Sequence, residues 1–274
     1  SQLFFNSKLK LDFSMFGSKR ENNYVNDYQK TFYSAASFNP TLSAIQNEDG
    51  TWAEDPNANE VDNPIGRLTI DDKEENDYLS TNGRLTWTIN DDLNISAFGS
   101  YTYNTKENMN YIPTTIRQGI REGRGKAYRG INKSNVLMGN VSMNYKKMFQ
   151  NGRLDALALV EGQSYKYTGF EANARGFGTD FFGYNNLEAG AVLRYGDVKS
   201  YNNGYDLNSF LGRVNYMHAN RYIATVNIRF DGSSKLGDND KWGFFPSASL
   251  AWVMSEESFL KDIDAINEIK WRAG

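Results

Sequence analysis

The stretch Leu3-Phe4-Phe5-Asn6-Ser7-Lys8-Leu9-Lys10-Leu11-Asp12-Phe13-Ser14-Met15 decides the fold. Leu3, Phe5, Leu9, Leu11, Phe13 and Met15 share one parity, and Asn6, Lys8, Lys10, Asp12 and Ser14 share the other. Successive side chains of a strand point to opposite faces, so a sustained period of two predicts a β-strand and not a helix. Strands of soluble domains usually run about 5–6 residues. A much longer strand, apolar on one face and charged on the other, needs an apolar medium on one side and water on the other.

The pattern recurs along the chain. Leu79, Leu85, Trp87 and Ile89 oppose Ser80, Asn82, Arg84, Thr86 and Thr88, and Leu93, Ile95, Ala97, Tyr101 and Tyr103 oppose Asn94, Ser96, Ser100 and Thr102. Leu137, Val141, Met143 and Tyr145 oppose Asn140, Ser142 and Asn144. Phe210, Val214 and Tyr216 oppose Ser209, Arg213 and Asn215. Tyr222, Ala224, Val226, Ile228 and Phe230 oppose Thr225, Asn227, Arg229 and Asp231, and Ala248, Leu250 and Trp252 oppose Ser247 and Ser249. Near 153–168 the alternation is less clean, because Leu157 and Leu159 share a parity with Asp155, Glu161 and Gln163. A bulge or an inward apolar contact is expected there.

Short turns are expected at Asn90-Asp91-Asp92, Gln150-Asn151-Gly152 and His218-Ala219-Asn220. Long connections are expected at 22–76, 105–133 and 169–205, with a shorter one near 232–243. Such alternation is the topology of an outer-membrane barrel, with short turns on the periplasmic side and long loops outside. One exception lies on the short side, where 255–268 reads as a Ser-started helical turn. Tyr78, Trp87, Tyr103, Tyr145, Tyr216, Tyr222 and Trp252 lie near strand ends, as interfacial aromatic girdles do. Ordinary cross-strand packing in a soluble sheet is the rival explanation. The chain opens inside or just before one strand and closes on another just started, which is expected of a fragment of something larger.

Composition agrees with this picture. Of 274 residues, 39% are hydrophobic, 14% are aromatic and 24 are Gly, which suggests β-structure with extensive loops. The net charge of −3 gives no global field for nucleic acid or anionic lipid. The absence of Cys excludes disulfides and thiolate metal sites. No apolar run suits a transmembrane helix, and no signal peptide is recognisable; both are expected of an internal piece of a barrel.

Five segments carry a family resemblance: Leu211-Gly212-Arg213-Val214-Asn215-Tyr216; Asn220-Arg221-Tyr222-Ile223; Arg229-Phe230-Asp231-Gly232-Ser233-Ser234-Lys235; Trp242-Gly243-Phe244-Phe245-Pro246-Ser247-Ala248-Ser249-Leu250-Ala251-Trp252; and Glu256-Glu257-Ser258-Phe259-Leu260. In order and spacing they resemble the barrel signature of SusC/RagA-family TonB-dependent transporters. A weaker likeness covers Asn63-Pro64 after Asp49-Gly50. The resemblance implies an antiparallel transmembrane β-barrel of about 22 strands with long extracellular loops. It also implies a plug inside the barrel, a SusD-like surface lipoprotein, and TonB-driven import of oligosaccharides or peptides across the outer membrane of a Gram-negative bacterium. Residues 1–274 are then expected to form about eight strands and the start of a ninth. The plug, the TonB box and the closing strand are absent from them. Within the signature, Arg229 and Asp231 are expected to pair in the lumen. Asp231-Gly232-Ser233-Ser234 reads as an Asx-type turn, and Pro246 is expected at a strand start or an edge-like bulge.

Catalytic chemistry is not apparent, and neither an enzyme nor a cofactor is expected. His218 is alone and lacks a Ser/His/Asp set. Gly119 to Lys126 fails the P-loop spacing, and Gly176-Phe177-Gly178 lacks the third glycine of a dinucleotide fingerprint. Asp238, Asp240 and Gly243 echo a calcium loop, but Trp242 and Ser249 stand where ligands belong. Two loops attract a functional reading. One holds Arg117, Arg121, Arg124, Lys126 and Arg129 with Tyr111 and Tyr128; the other holds Phe177, Phe181, Phe182 and Tyr184. Aromatic faces and polar groups suit glycans, and aromatics with Arg also suit a docked lid. A self-packed loop is the alternative, with Asp71 to Glu75 as the expected acidic partner of the cations. The competing functions are an outer-membrane adhesin or enzyme barrel and a soluble ligand-binding β-protein.

Overall fold

The computed structural model describes residues 1–42, 45–237, 240–261, 263 and 267–274. Eleven strands form one antiparallel sheet: β1 (Gln2–Phe4), β2 (Leu9–Asn23), β3 (Asp71–Asn90), β4 (Leu93–Ile112), β5 (Lys126–Phe149), β6 (Gly152–Phe177), β7 (Gly190–Val192), β8 (Val198–His218), β9 (Tyr222–Ser233), β10 (Trp242–Val253) and β11 (Lys270–Ala273). Each strand pairs with its predecessor, except that β8 pairs with β6, and β7 attaches to the end of β6. Nothing pairs β1 with β11, so the sheet is open. Three helices, α1 (Tyr28–Ser37), α2 (Pro64–Arg67) and α3 (Arg117–Arg121), lie in the connections at one end.

Register shows why the alternation matters. One continuous row across the sheet reads Leu11, Leu85, Ala97, Val141, Val160, Phe210, Phe230 and Phe244. No second layer covers it: Val141 is 53% exposed and Phe230 43%. A soluble sandwich would bury such a face against a partner sheet. An apolar face left open across eight long strands instead fits hydrocarbon. The apolar band also steps along the strands, from Leu9–Met15 on β2 to Trp242–Trp252 on β10. This stagger is the one imposed by strands tilted to a barrel axis. No helix among the described residues is long and apolar enough to cross a membrane, so any crossing is made by strands.

The opposite face is a ladder of polar pairs. Ser96 and Ser142 hydroxyls lie 2.8 Å apart, Arg213 Nε donates to Asn227 Oδ1 at 2.6 Å, and Asn215 donates to Thr225 at 2.7 Å. Arg229 and Asp231 pair at 2.7 Å, as expected, and Asp231 also accepts from Ser209. Leu157 and Leu159 lie on this face, opposite Arg213 and Leu211, in a strand that keeps register throughout. The irregularity there is therefore an inward apolar contact, and the register shift falls instead at Thr88/Asn90.

Several sequence expectations need correction. Residues 3–15 are not one strand. The chain reverses at Asn6, whose Oδ1 accepts from the backbone N–H groups of Lys8 and Leu9. Leu3 then pairs with Leu11, so parity survives the turn and hides it. The long connections are shorter than expected, because β3 to β6 and β8 run 20–26 residues. Asp231 makes no Asx turn; it is still in β9, and Ser233 Oγ caps the turn by accepting from Lys235 N. Tyr78 lies with Arg84 and Asn82 on the polar face, not in a girdle. Trp87, Tyr145, Tyr216, Tyr222 and Trp252 gather on the apolar face near the short turns. Residues 255–268 begin with a 3-10 turn at Met254–Glu256. Pro246 sits inside β10 opposite Ile228. Val253 N bonds to Arg221 O and Met254 N to Ile269 O, so even-numbered N–H groups of β10 point away from β9. The missing N–H of Pro246 thus lies on the β11 side of the strand and takes no bond from the β9–β10 ladder.

Candidate functional site

The long connections meet above the ends of β3 to β8 and build a lobe. Its centre is Arg67, 2% exposed at the end of α2. The guanidinium donates to Thr31 Oγ1 at 3.0 Å, to Asn26 O at 3.2 Å and to Gln118 Oε1 at 3.3 Å, and pairs with Asp62 at 3.4 Å. One side chain thereby ties α1, α2 and α3 together. Asn63 caps α2 through Ile65 N and Gly66 N while its amide donates to Ala53 O at 2.8 Å.

The candidate cations divide by task. Arg117 pairs with Glu54 at 3.1 Å and donates to the carbonyls of Asn59, Ala58 and Val61, while Arg121 donates to Asn59 O at 3.0 Å. Burial pushes the Glu54 carboxyl up from its ordinary value despite Arg117 beside it. Arg129 lies within β5, not in a loop, and pairs with Glu107; Lys126 pairs with Glu122 at 3.8 Å. The expected partner, Asp71 to Glu75, is not used by these cations. It forms the start of β3, where Glu74 holds Lys106 at 2.6 Å. Arg124 is exposed, and its side chain makes no ion pair among the described residues. The sequence Gly123-Arg124-Gly125 has three consecutive positive φ values, 94°, 76° and 80°. The glycine richness here therefore serves a left-handed turn. Asp238, part of the calcium-loop echo, lies outside the described residues.

The aromatic candidates also divide. Tyr111, Phe177 and Tyr184 are buried with Met109, Ala127 and Ala174 in a small core. The Tyr111 and Phe177 rings meet edge to face at 5.5 Å. Tyr111 OH donates to Asp180 Oδ1 at 2.7 Å, and Thr114 N donates to the same oxygen at 2.8 Å. Arg175 then clamps the second loop, its Nη1 donating to both carboxylate oxygens of Asp197 at 2.6 Å and its Nε donating to Glu122 Oε2 at 2.8 Å. Those bonds hold the Asp197 and Glu122 carboxyls below their usual range. Phe181 and Phe182 stand outside this core, the first 86% exposed. Tyr128 is on β5, on the polar face of the wall. The sequence reading missed Arg67, since a lone Arg carries no pattern; Arg175 was read as the start of the second functional loop, whereas it lies at the end of β6 and holds that loop in place.

Long strands, an uncovered apolar face, a hydrogen-bonded polar face and a packed lobe above define a segment of a transmembrane β-barrel wall. No protein-family model matches the chain. The TonB-dependent receptor P3 of Formosa agariphila is 34% identical over 97% of this chain and 27% of its own length. The TonB-dependent receptor SusC of Bacteroides thetaiotaomicron is 30% identical over 81% of this chain and 22% of its own. The RagAB peptide transporter structure superposes with a TM-score of 0.77 at 15% identity, covering 99% of this chain and 31% of that one. The chain thus spans about a quarter of the curated relatives it matches. It is a barrel segment of the SusC/RagA family of TonB-dependent receptors.

Proposed function

We propose that this segment is wall in a TonB-dependent importer of the Gram-negative outer membrane, working beneath a SusD-like lipoprotein and carrying out no covalent chemistry. The supporting observation is the division of eight long strands into one open apolar face and one hydrogen-bonded polar face. A plug and the contact with TonB belong to other parts of the whole protein. The cargo class is oligosaccharide or peptide; the RagAB relative is a peptide transporter by name. Of the candidate residues, the exposed Phe181, Phe182 and Arg124 are available to a lid or to cargo, whereas Tyr111, Arg117, Phe177 and Tyr184 are engaged in holding loops.

The test uses the complete receptor in cells. Phe181→Ala with Arg124→Ala should reduce lipoprotein co-purification if these residues dock the lid, or reduce uptake with normal co-purification if they meet cargo. Uptake that persists after deletion of TonB would reject the importer reading itself.

A further inference from the structure

The polar face carries a cluster of tyrosines above the apolar band on β5, β6 and β8. Tyr165 and Tyr205 are directly paired across β6 and β8, with rings stacked at 5.1 Å. Tyr167 and Tyr201 stack at 5.5 Å, inclined by 28°. Tyr201 lies flat across Gly169: a Cβ there would stand 2.1 Å from its Cζ. Its hydroxyl reaches over β6 to bond with Asn132 on β5. Tyr128 lies in the same way over Gly130, where a Cβ would be 2.3 Å from its hydroxyl oxygen, and donates to Glu171 Oε2 at 3.1 Å. Two glycines thus seat two rings against the backbone of the polar face, and Tyr167 stacks beside Tyr201.

The carboxylate beside Tyr128 is compensated. Glu171 is held by Lys199 at 3.2 Å, and Lys235 sits 4.1 Å from the Tyr205 ring centre, closing that end. Beside Tyr128, Tyr167 and Tyr201 the charges of Glu171 and Lys199 balance, and the half-buried rings are edged by phenol hydroxyls and the Asn132 amide. Strand addition by a peptide needs a free sheet edge, and here β5, β6 and β8 are paired on both sides. Sugar rings present apolar C–H faces to aromatics and hydroxyls to neutral polar groups, which is the complementary chemistry.

We propose that Tyr167, Tyr201 and Tyr128, seated by Gly169 and Gly130, form a stacking platform for a neutral oligosaccharide on its way through the barrel. This deepens the importer reading and rests on it. The test measures binding to the purified, detergent-solubilised complete receptor, which needs no TonB. The probes are cellohexaose, maltohexaose, mannohexaose and a mixed-sequence peptide library. At least one hexaose should bind and weaken about tenfold in Tyr167→Ala/Tyr201→Ala. Tyr167→Phe/Tyr201→Phe should keep most of the affinity, because the faces remain. Gly169→Ala should weaken it by displacing Tyr201, and heat-modifiable migration on gels shows that each variant is folded. Unchanged hexaose binding in the folded Ala variant would overturn the proposal. So would peptide binding without any hexaose binding, or no binding of either. Loss of the importer reading would appear separately, as TonB-independent uptake.

Discussion

Arg67 is buried, charged and bonded to residues in the connection before α1, in α1, near α2 and in α3. Removing one partner of a buried ion pair typically costs about 3–5 kcal/mol. Lys30 would still hold Asp62 at 3.1 Å, so Arg67→Ala should fall near the lower end, about 3 kcal/mol. The loss should appear as faster amide exchange in residues 24–70 with the strands unaffected. Two carboxylates give this lobe opposite pH responses. Glu54 is raised by burial, so the fold takes up a proton before the unfolded chain does. The lobe therefore gains stability as pH falls through that raised value, and Glu54→Gln should flatten this response. Asp197 is depressed by Arg175. Its contribution is present above the ordinary aspartate value and is lost as pH falls through the depressed one. Asp197→Asn should expose residues 178–197 to protease at neutral pH, where the parent resists. None of these residues was legible as a site in the sequence. Their importance comes from contacts between positions tens of residues apart, such as Arg67 with Gln118, which no local pattern encodes.

At the scale of elements the sequence was far more legible, because a period of two is local. The long strands β3 to β6 and β8 to β10, three short turns and the Arg229–Asp231 pair were readable, whereas the turn between β1 and β2 and the short β7 were not. The strand ends were not. β5 continues through Lys126, Tyr128 and Arg129, where cations and glycines look like loop chemistry, and the alternation Tyr165, Tyr167, Gly169 and Glu171 continues β6 into what read as a connection. Above the membrane both faces are wet, so strands there lose the apolar parity that reveals them. Within the band parity has an energetic consequence. Val226 lies on the apolar face and Asn227 on the polar one. Val226→Arg should destabilise the folded receptor by about 2–4 kcal/mol if it is near mid-bilayer. Asn227→Arg should cost far less, and chemical unfolding of the complete receptor in lipid vesicles distinguishes the two.

Residues 1–274 form an open sheet with one edge at β1–β2 and another at β10–β11. Unpaired backbone groups are costly in lipid and prone to association in water. Residues 1–274 expressed alone should therefore give no closed, heat-modifiable monomer, and recovery of one would show that this segment needs no neighbouring strands. The claim on which the rest depends is that the apolar face meets lipid and the polar face does not. Spin labels placed in the complete, vesicle-embedded receptor at Leu11→Cys, Val226→Cys, Lys10→Cys and Asn227→Cys test it directly. Lipid contact predicts that the first two relax with oxygen, which concentrates in hydrocarbon, and that the second two do not. Relaxation of Leu11→Cys and Val226→Cys by a water-soluble nickel chelate, with Lys10→Cys and Asn227→Cys in contact with oxygen, would contradict the barrel assignment.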